Sequence, residues 1–197
     1  MRKLLLATGN QGKIKEMKDL LQSIEAEILT PTDLDLVLQV EEVGKSYPEN
    51  AARKAKAFAA GSKLLTLSDD SGLEVEALGG APGIYSARYS PKSGATDKDR
   101  REYLINQLQG LSKPWLARFH CTVALASPAG EIHFAEGNCA GEIIAEERGE
   151  AGFGYDPIFL ISELGRTMAE LSMAEKNQIS HRSRAIKAML PTLLTYL

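Results

Sequence analysis

The sequence predicts an α/β protein, a mixed and partly parallel sheet with helices packed on it. Two patterns carry that expectation. Strand-like and helix-like segments alternate through the first half of the chain, and strand-like segments cluster in the middle. Helices covering a sheet of mixed direction produce that order. Length agrees: 197 residues, 44% hydrophobic and 25% charged, can bury a sizeable core and are most simply one domain over 1–197, with room for two lobes.

Each element has a local reason. Residues 3–7, Lys-Leu-Leu-Leu-Ala, read as a short buried strand. Segment 12–21 reads as a helix because Ile14, Met17, Leu20 and Leu21 share one face. Segments 28–30 and 37–40 read as short strands. Ser46-Tyr47-Pro48-Glu49 has the S-x-x-E form of a capping box, and Pro48 fits a first helical turn. The alanine-rich helix that follows is expected to end at Gly61. Segment 64–67 reads as a strand that stops at Asp69-Asp70, and alternation resumes over 73–78. Thr96-Asp97-Lys98-Asp99 caps a helix reaching Leu108 and stopped by Gly110. Segments 116–126 and 131–136 form the arms of a hairpin through Ser127-Pro128-Ala129-Gly130. Further strands are expected at 141–145 and 158–161, a helix at 167–171, and a last helix from Ser180 disturbed at Pro191.

Charge and cysteine usage narrow the function. With 23 Lys and Arg against 26 Asp and Glu, the net charge is −3. No basic excess is present to hold a nucleic-acid backbone, which argues against a polymer partner and does not exclude a small phosphorylated ligand. Cys121 and Cys139 lack metal-ligand spacing and are expected as reduced, buried thiols. The run Leu4-Leu5-Leu6-Ala7 is too short for a signal-peptide core, and no apolar run is long enough to span a membrane. A cytoplasmic setting is expected.

The most informative stretch is Leu64-Leu65-Thr66-Leu67-Ser68-Asp69-Asp70-Ser71-Gly72. Two adjacent carboxylates at the end of a buried strand repel each other and lose hydration. A cation between them and something anionic relieves this, and Mg²⁺ suits oxygen ligands and phosphate. The plainer reading is a polar turn in which Asp69 caps the next segment. Upstream, Thr8-Gly9-Asn10-Gln11-Gly12-Lys13 lies between a strand and a helix, the layout of an anion cradle. It is neither a Walker A loop nor a dinucleotide fingerprint, and an ordinary turn is the alternative. Asn50 and Lys54 share a helix face. With Glu42 on the preceding loop they gain functional weight only by converging on Asp69 and Asp70. Phe153-Gly154-Tyr155-Asp156-Pro157 offers aromatics for stacking on a flat ring and a carboxylate to accept from a ring N–H; the alternative is a bulge that plugs the core. Ser180-His181-Arg182, with Lys176 before it, places donors at a helix start. His120 and His133 read as structural.

Together these segments resemble the inosine/xanthosine triphosphate pyrophosphatases, a family that clears deaminated purine nucleotides. The matching stretches are 6–13, 49–55, 68–73, 80–89 (Gly-Ala-Pro-Gly-Ile-Tyr-Ser-Ala-Arg-Tyr), 117–121, 152–159 and 175–182. They occur in the family's order and cover nearly the whole chain. Ala151, where the family often has glycine, and Arg166, where it often has lysine, are small departures.

The resemblance implies an elongated mixed sheet flanked by helices, two lobes with an active-site cleft between them, a Mg²⁺ requirement and a homodimer. It implies hydrolysis of a nucleoside triphosphate between the α- and β-phosphates, releasing pyrophosphate. Thr8, Gly9, Asn10, Gln11, Gly12 and Lys13 would hold the phosphate tail, with Lys54 adding charge and Ser71 anchoring a phosphate or the carboxylates. Glu42 and Asp70 would hold Mg²⁺. Asp70 is the expected general base, with Asp69 able to share a role. Phe153, Gly154, Tyr155 and Asp156 would contact the base. Lys176, His181 and Arg182 would donate to the C6 carbonyl that hypoxanthine and xanthine carry and adenine lacks. The alternatives are a pyrophosphatase for other modified nucleotides and a non-catalytic nucleotide sensor.

Overall fold

Leu4, Leu5 and Leu6 form an unbroken apolar run, and all of them are fully buried. The strand that contains them, β1 (Arg2–Leu6), is therefore covered on both faces, as central parallel strands are. It pairs in parallel with β2 (Ala26–Leu29), Leu4 opposite Ile28, and with β3 (Leu65–Val75), Leu5 opposite Thr66. Strand alternation divides the run between two cores. Leu4 and Leu6 join Met17 of α1 (Gln11–Leu20) and Ile186 and Met189 of α5 (His181–Tyr196). Leu5 and Ala7 join Phe58 of α2 (Tyr47–Ser62).

The structure, a computed structural model, describes residues 2–197. The chain continues through α3 (Asp97–Leu108), β4 (Trp115–Ala126), β5 (Ile132–Ile143), β6 (Phe159–Ile161), β7 (Arg166–Thr167) and α4 (Met173–Ile179). The hydrogen-bonded order is β2-β1-β3-β4-β5-β6-β7 in one 7-stranded sheet. Pairing is parallel at β1 and antiparallel at β5–β6 and β6–β7, so the sheet is mixed, as the sequence predicts.

The chain forms two compact units. One comprises the segment up to Asp70 with Cys121–Gly137 and His181–Leu197. Besides the cores around β1, it packs Ala51, Ala55 and Ala59 of α2 against Ala124 and Ala126 of β4. The other comprises Ser71–His120 and Asn138–Ser180. Its core gathers Leu73, Phe119, Ile143, Phe159 and Met168 with Leu104 and Leu108 of α3. The Phe119 and Phe159 rings lie 4.4 Å apart between centroids. No helix among the described residues is long and apolar enough to cross a membrane.

Several expectations need correction. β3 does not stop at the acid pair; it runs through Asp69 and Asp70 to Val75, because both buried carboxylates have partners there. Segment 37–40 forms no strand: Val37 is 92% exposed and finds no ladder, while Val40 packs beside Phe58. Gly61 lies inside α2, whose end is Lys63 in the left-handed conformation at φ 61°. The strands expected at 131–136 and 141–145 are one, β5. Segment 167–171 makes a single 3₁₀ turn, Met168–Glu170. Helix α4 was not expected, and α5 passes through Pro191 unbroken. Met189 and Leu193, on either side of that proline, are buried, and their packing offsets the lost hydrogen bond.

Candidate active site

The loop after β1 is organised by its own short side chains. Thr8 Oγ1 accepts from the Asn10 N–H at 3.2 Å, and Asn10 Oδ1 accepts from the Lys13 N–H at 3.0 Å, capping α1. Gln11 Nε2 donates to the Gly9 carbonyl at 3.5 Å. Gly12 lies in the first turn, where backbone N–H groups have no helical acceptor. The cradle layout read from the sequence is therefore present.

β3 separates the two aspartates. Neighbouring strand residues face opposite sides of the sheet, so Asp69 meets α1 and α5 while Asp70 meets α2. Asp69 is fully buried. Its Oδ2 accepts from Arg182 Nε at 3.1 Å and Nη2 at 3.0 Å and lies 3.1 Å from Lys13 Nζ. Arg182 also donates through Nη1 to Glu16, itself buried on α1. Asp69 Oδ1 has no hydrogen-bond partner among the described residues. Burial alone would raise the Asp69 pKa, but the charges of Lys13, Arg182 and Lys54 outweigh it and hold the carboxyl far below the usual range. The nearby Cys121 thiol is pushed up to about 12 by burial, as befits an inert, reduced cysteine.

Asp70 behaves in the opposite way. Its Oδ2 accepts from Asn50 Nδ2 at 3.1 Å, and its Oδ1 lies 3.8 Å from Lys54 Nζ. Lys54 donates to Glu42 Oε1 at 2.6 Å. Asn50 is fixed in turn, its Oδ1 accepting from the Gly44 N–H at 2.8 Å. Burial pushes the Asp70 pKa up, and Lys54, Lys13 and Asn50 do not fully counter it. Of the convergence on Asp69 and Asp70 expected for Glu42 and Lys54, the structure brings Lys54 beside Asp70, with Glu42 bonded to Lys54. Each of the two aspartates thus has its own set of protein partners.

The aromatic loop belongs to the other unit. Gly152 has φ 77°, and a Cβ there would collide with Asp156 Oδ2, so position 152 requires glycine for both conformation and space. Asp156 Oδ2 accepts from the Phe153 N–H at 2.9 Å and from Lys176 Nζ at 2.6 Å. Lys176 Nζ also stands 5.4 Å from the centre of the Phe153 ring, within cation–π range. The two aromatics divide. Tyr155 is buried and donates its hydroxyl to the Ser86 carbonyl at 2.9 Å, a core anchor, while Phe153 is half-buried. Ser71, the residue after Asp70 on β3, is also half-buried.

His181 opens α5 and is buried. Arg182 is 1% exposed, and its guanidinium is committed to Asp69 and Glu16. Sequence reasoning missed Glu16, whose only signal was a carboxylate one turn after Lys13 beside the buried Met17. It also missed Asp97 and Arg101, which bond the backbone of Gly154 at 2.7 and 2.8 Å.

An anion cradle at a strand–helix junction, beside two carboxylates of opposite ionisation tendency, is the equipment of an α/β protein that handles phosphoryl groups. The chain belongs to the Ham1 family, whose model matches residues 4–192. It is 45% identical to a dITP/XTP pyrophosphatase of Desulforamulus reducens, over 97% of this chain and 95% of the relative. A HAM1 protein from Coxiella burnetii superimposes with a TM-score of 0.88 at 40% identity, covering 100% of both chains. A nucleoside-triphosphatase/dITP/XTP pyrophosphatase from Mycobacterium abscessus gives a TM-score of 0.75 at 38% identity, over 96% of this chain and 99% of that one.

Proposed function

We propose that this chain hydrolyses deaminated purine nucleoside triphosphates, ITP, dITP and XTP, to the monophosphate and pyrophosphate by water attack at the α-phosphorus. The observation that carries the reading is the separation of Asp69 from Asp70. Asp69 is locked as a permanent anion between Lys13 and Arg182, and Asp70 faces Lys54, Asn50 and Glu42. The full-length similarity to relatives named dITP/XTP pyrophosphatase supports the substrate class.

Thr8, Asn10, Lys13 and the first N–H groups of α1 bind the phosphate tail. Asp70 takes the proton of the attacking water, and Asn50 fixes the direction of its carboxylate. Lys54 stabilises charge that develops on the phosphate oxygens. Phe153 stacks on the purine. Lys176 and His181 test its C6 carbonyl, while Arg182 acts through Asp69. A site built on a substrate polar group rejects an analogue lacking it by roughly 10⁴-fold or more.

Mg²⁺ belongs to the same proposal. Glu42 and Asp70 both reach one ammonium, Lys54 Nζ, at 2.6 and 3.8 Å, so the pair can share a cation. No group of three or more His, Cys, Asp or Glu that could hold a metal occurs among the described residues. A two-carboxylate set suits Mg²⁺, which completes its shell with water and phosphate. Glu42 and Asp70 would hold the ion, which neutralises phosphate charge when bound. The homodimer rests on the family resemblance.

The test is pyrophosphate release with Mg²⁺ from ITP, XTP, ATP, GTP and CTP at one enzyme concentration. Release confined to ITP and XTP is expected. Preference for another base discards the base-reading assignments, and no release from any substrate makes the protein a nucleotide sensor.

A further inference from the structure

We propose that Arg101 and Asp97, one turn apart on α3, are positioning residues that hold the aromatic loop in shape for the substrate base; this rests on the reading that Phe153 stacks on that base.

The two side chains share a helix face and grip one residue of the loop. The Gly154 N–H donates to Asp97 Oδ2 at 2.7 Å, and the Gly154 carbonyl accepts from Arg101 Nη1 at 2.8 Å. Gly154 has φ 62°, and nothing lies within 4 Å of where its Cβ would be. Glycine here serves the turn, and both polar groups of its backbone are held by side chains of α3.

Arg101 is itself aimed. Its Nε and Nη2 bond Glu147 Oε1 and Oε2 at 2.9 and 2.8 Å, a bidentate fork that leaves Nη1 for Gly154. Glu147 lies at the entrance to the loop, so one guanidinium ties the entrance to the apex. Asp97 is braced by Arg100, whose Nη1 also donates to the Ala95 carbonyl at 2.7 Å. The start of α3 is fixed by a complete capping box, Thr96 with Asp99.

The consequence falls on Phe153. The peptide before it donates to Asp156, and the peptide after it donates to Asp97. Both bonds flanking the ring-bearing residue end on carboxylates, so its backbone is set before any ligand arrives. A group ordered in advance binds without the entropy loss of ordering it.

The test measures KM and kcat for ITP in Arg101→Ala, in Phe153→Ala and in the two combined. Losing one charge-assisted hydrogen bond should raise KM about tenfold, with kcat within about twofold because stacking is present in ground and transition states alike. If Arg101 acts through the loop, the double variant has the KM of Phe153→Ala alone. An unchanged KM in Arg101→Ala, or a double variant whose losses add, overturns the proposal. Phe153→Ala with unchanged KM removes the stacking reading itself, a different failure. Glu147→Gln weakens the fork from a half-exposed position and keeps Arg101; it should raise KM in the same non-additive way. It decides the matter if Arg101→Ala does not fold.

Discussion

Asp69 and Asp70 are adjacent in the chain and look in opposite directions from β3, the first to Arg182 and the second to Asn50. In the proposed mechanism the first is a structural anion and the second the general base. Replacing each by asparagine should therefore give opposite phenotypes.

Asp70→Asn should fold normally and lose about 10²–10⁴-fold in kcat, the usual weight of a general base. Asp69→Asn should lose stability, about 3–5 kcal/mol, because Arg182 and Lys13 keep their charges without the shared counter-charge. Denaturant unfolding and kcat on both variants check this. A stable, inactive Asp69→Asn beside an active Asp70→Asn would reverse the assignments.

Phe153→Ala should raise KM about five- to hundredfold, matching roughly 1–3 kcal/mol of base–aromatic stacking. Tyr155→Phe should instead lower thermal stability, since it removes the bond to the Ser86 carbonyl inside the core. Steady-state kinetics and melting curves on the pair separate stacking from anchoring.

Lys13→Ala should weaken every triphosphate alike, because in the proposed mechanism its ammonium binds the phosphate tail. A change in base preference would move Lys13 out of that role. Because Lys13 also faces Asp69 at 3.1 Å, a modest loss of stability should accompany the loss of binding.

Acid should loosen the segment around α4. The Glu175 carboxyl is held at about 2, first by Arg166 and then by the Ser172 N–H and hydroxyl, below its ordinary 4.5. A depressed carboxylate adds stability at pH above its unfolded pKa, and that stability is lost as pH falls through the folded value. Melting temperature should decline between about pH 4.5 and 2, and Glu175→Gln should flatten that part of the profile. An equally steep profile in the variant would show that other carboxylates dominate.

Periodicity made most of the fold legible. Leu4, Leu5 and Leu6 announce a strand buried on both faces, and Ser46 with Glu49 announces the start of α2. What stayed hidden depended on partners distant in sequence. Asp69-Asp70 reads as a strand end because two buried charges look intolerable until Arg182 and Lys13, far away in the chain, supply the compensation. Val37 and Val40 have the right residue type for a strand, and only the absence of a paired neighbour prevents one. The start of α4 was readable after all: Ser172 and Glu175 repeat the S-x-x-E spacing of Ser46 and Glu49, and both form capping hydrogen bonds. In the site, Asp97 and Arg101 escaped notice because their target is backbone, which leaves no mark in side-chain chemistry.

The alanines of α2 have a consequence beyond packing. Ala51, Ala55 and Ala59 pack with Ala124 and Ala126 in one cluster of small side chains. Asn50 and Lys54 are carried by the same helix, so its distance from the sheet is also the distance of an amide and an ammonium from Asp70. A single added methylene at position 51 or 55 would lift the helix, and the first quantity to drift would be the acidity of Asp70. Those small side chains act as a spacer that sets how closely Asn50 and Lys54 approach Asp70.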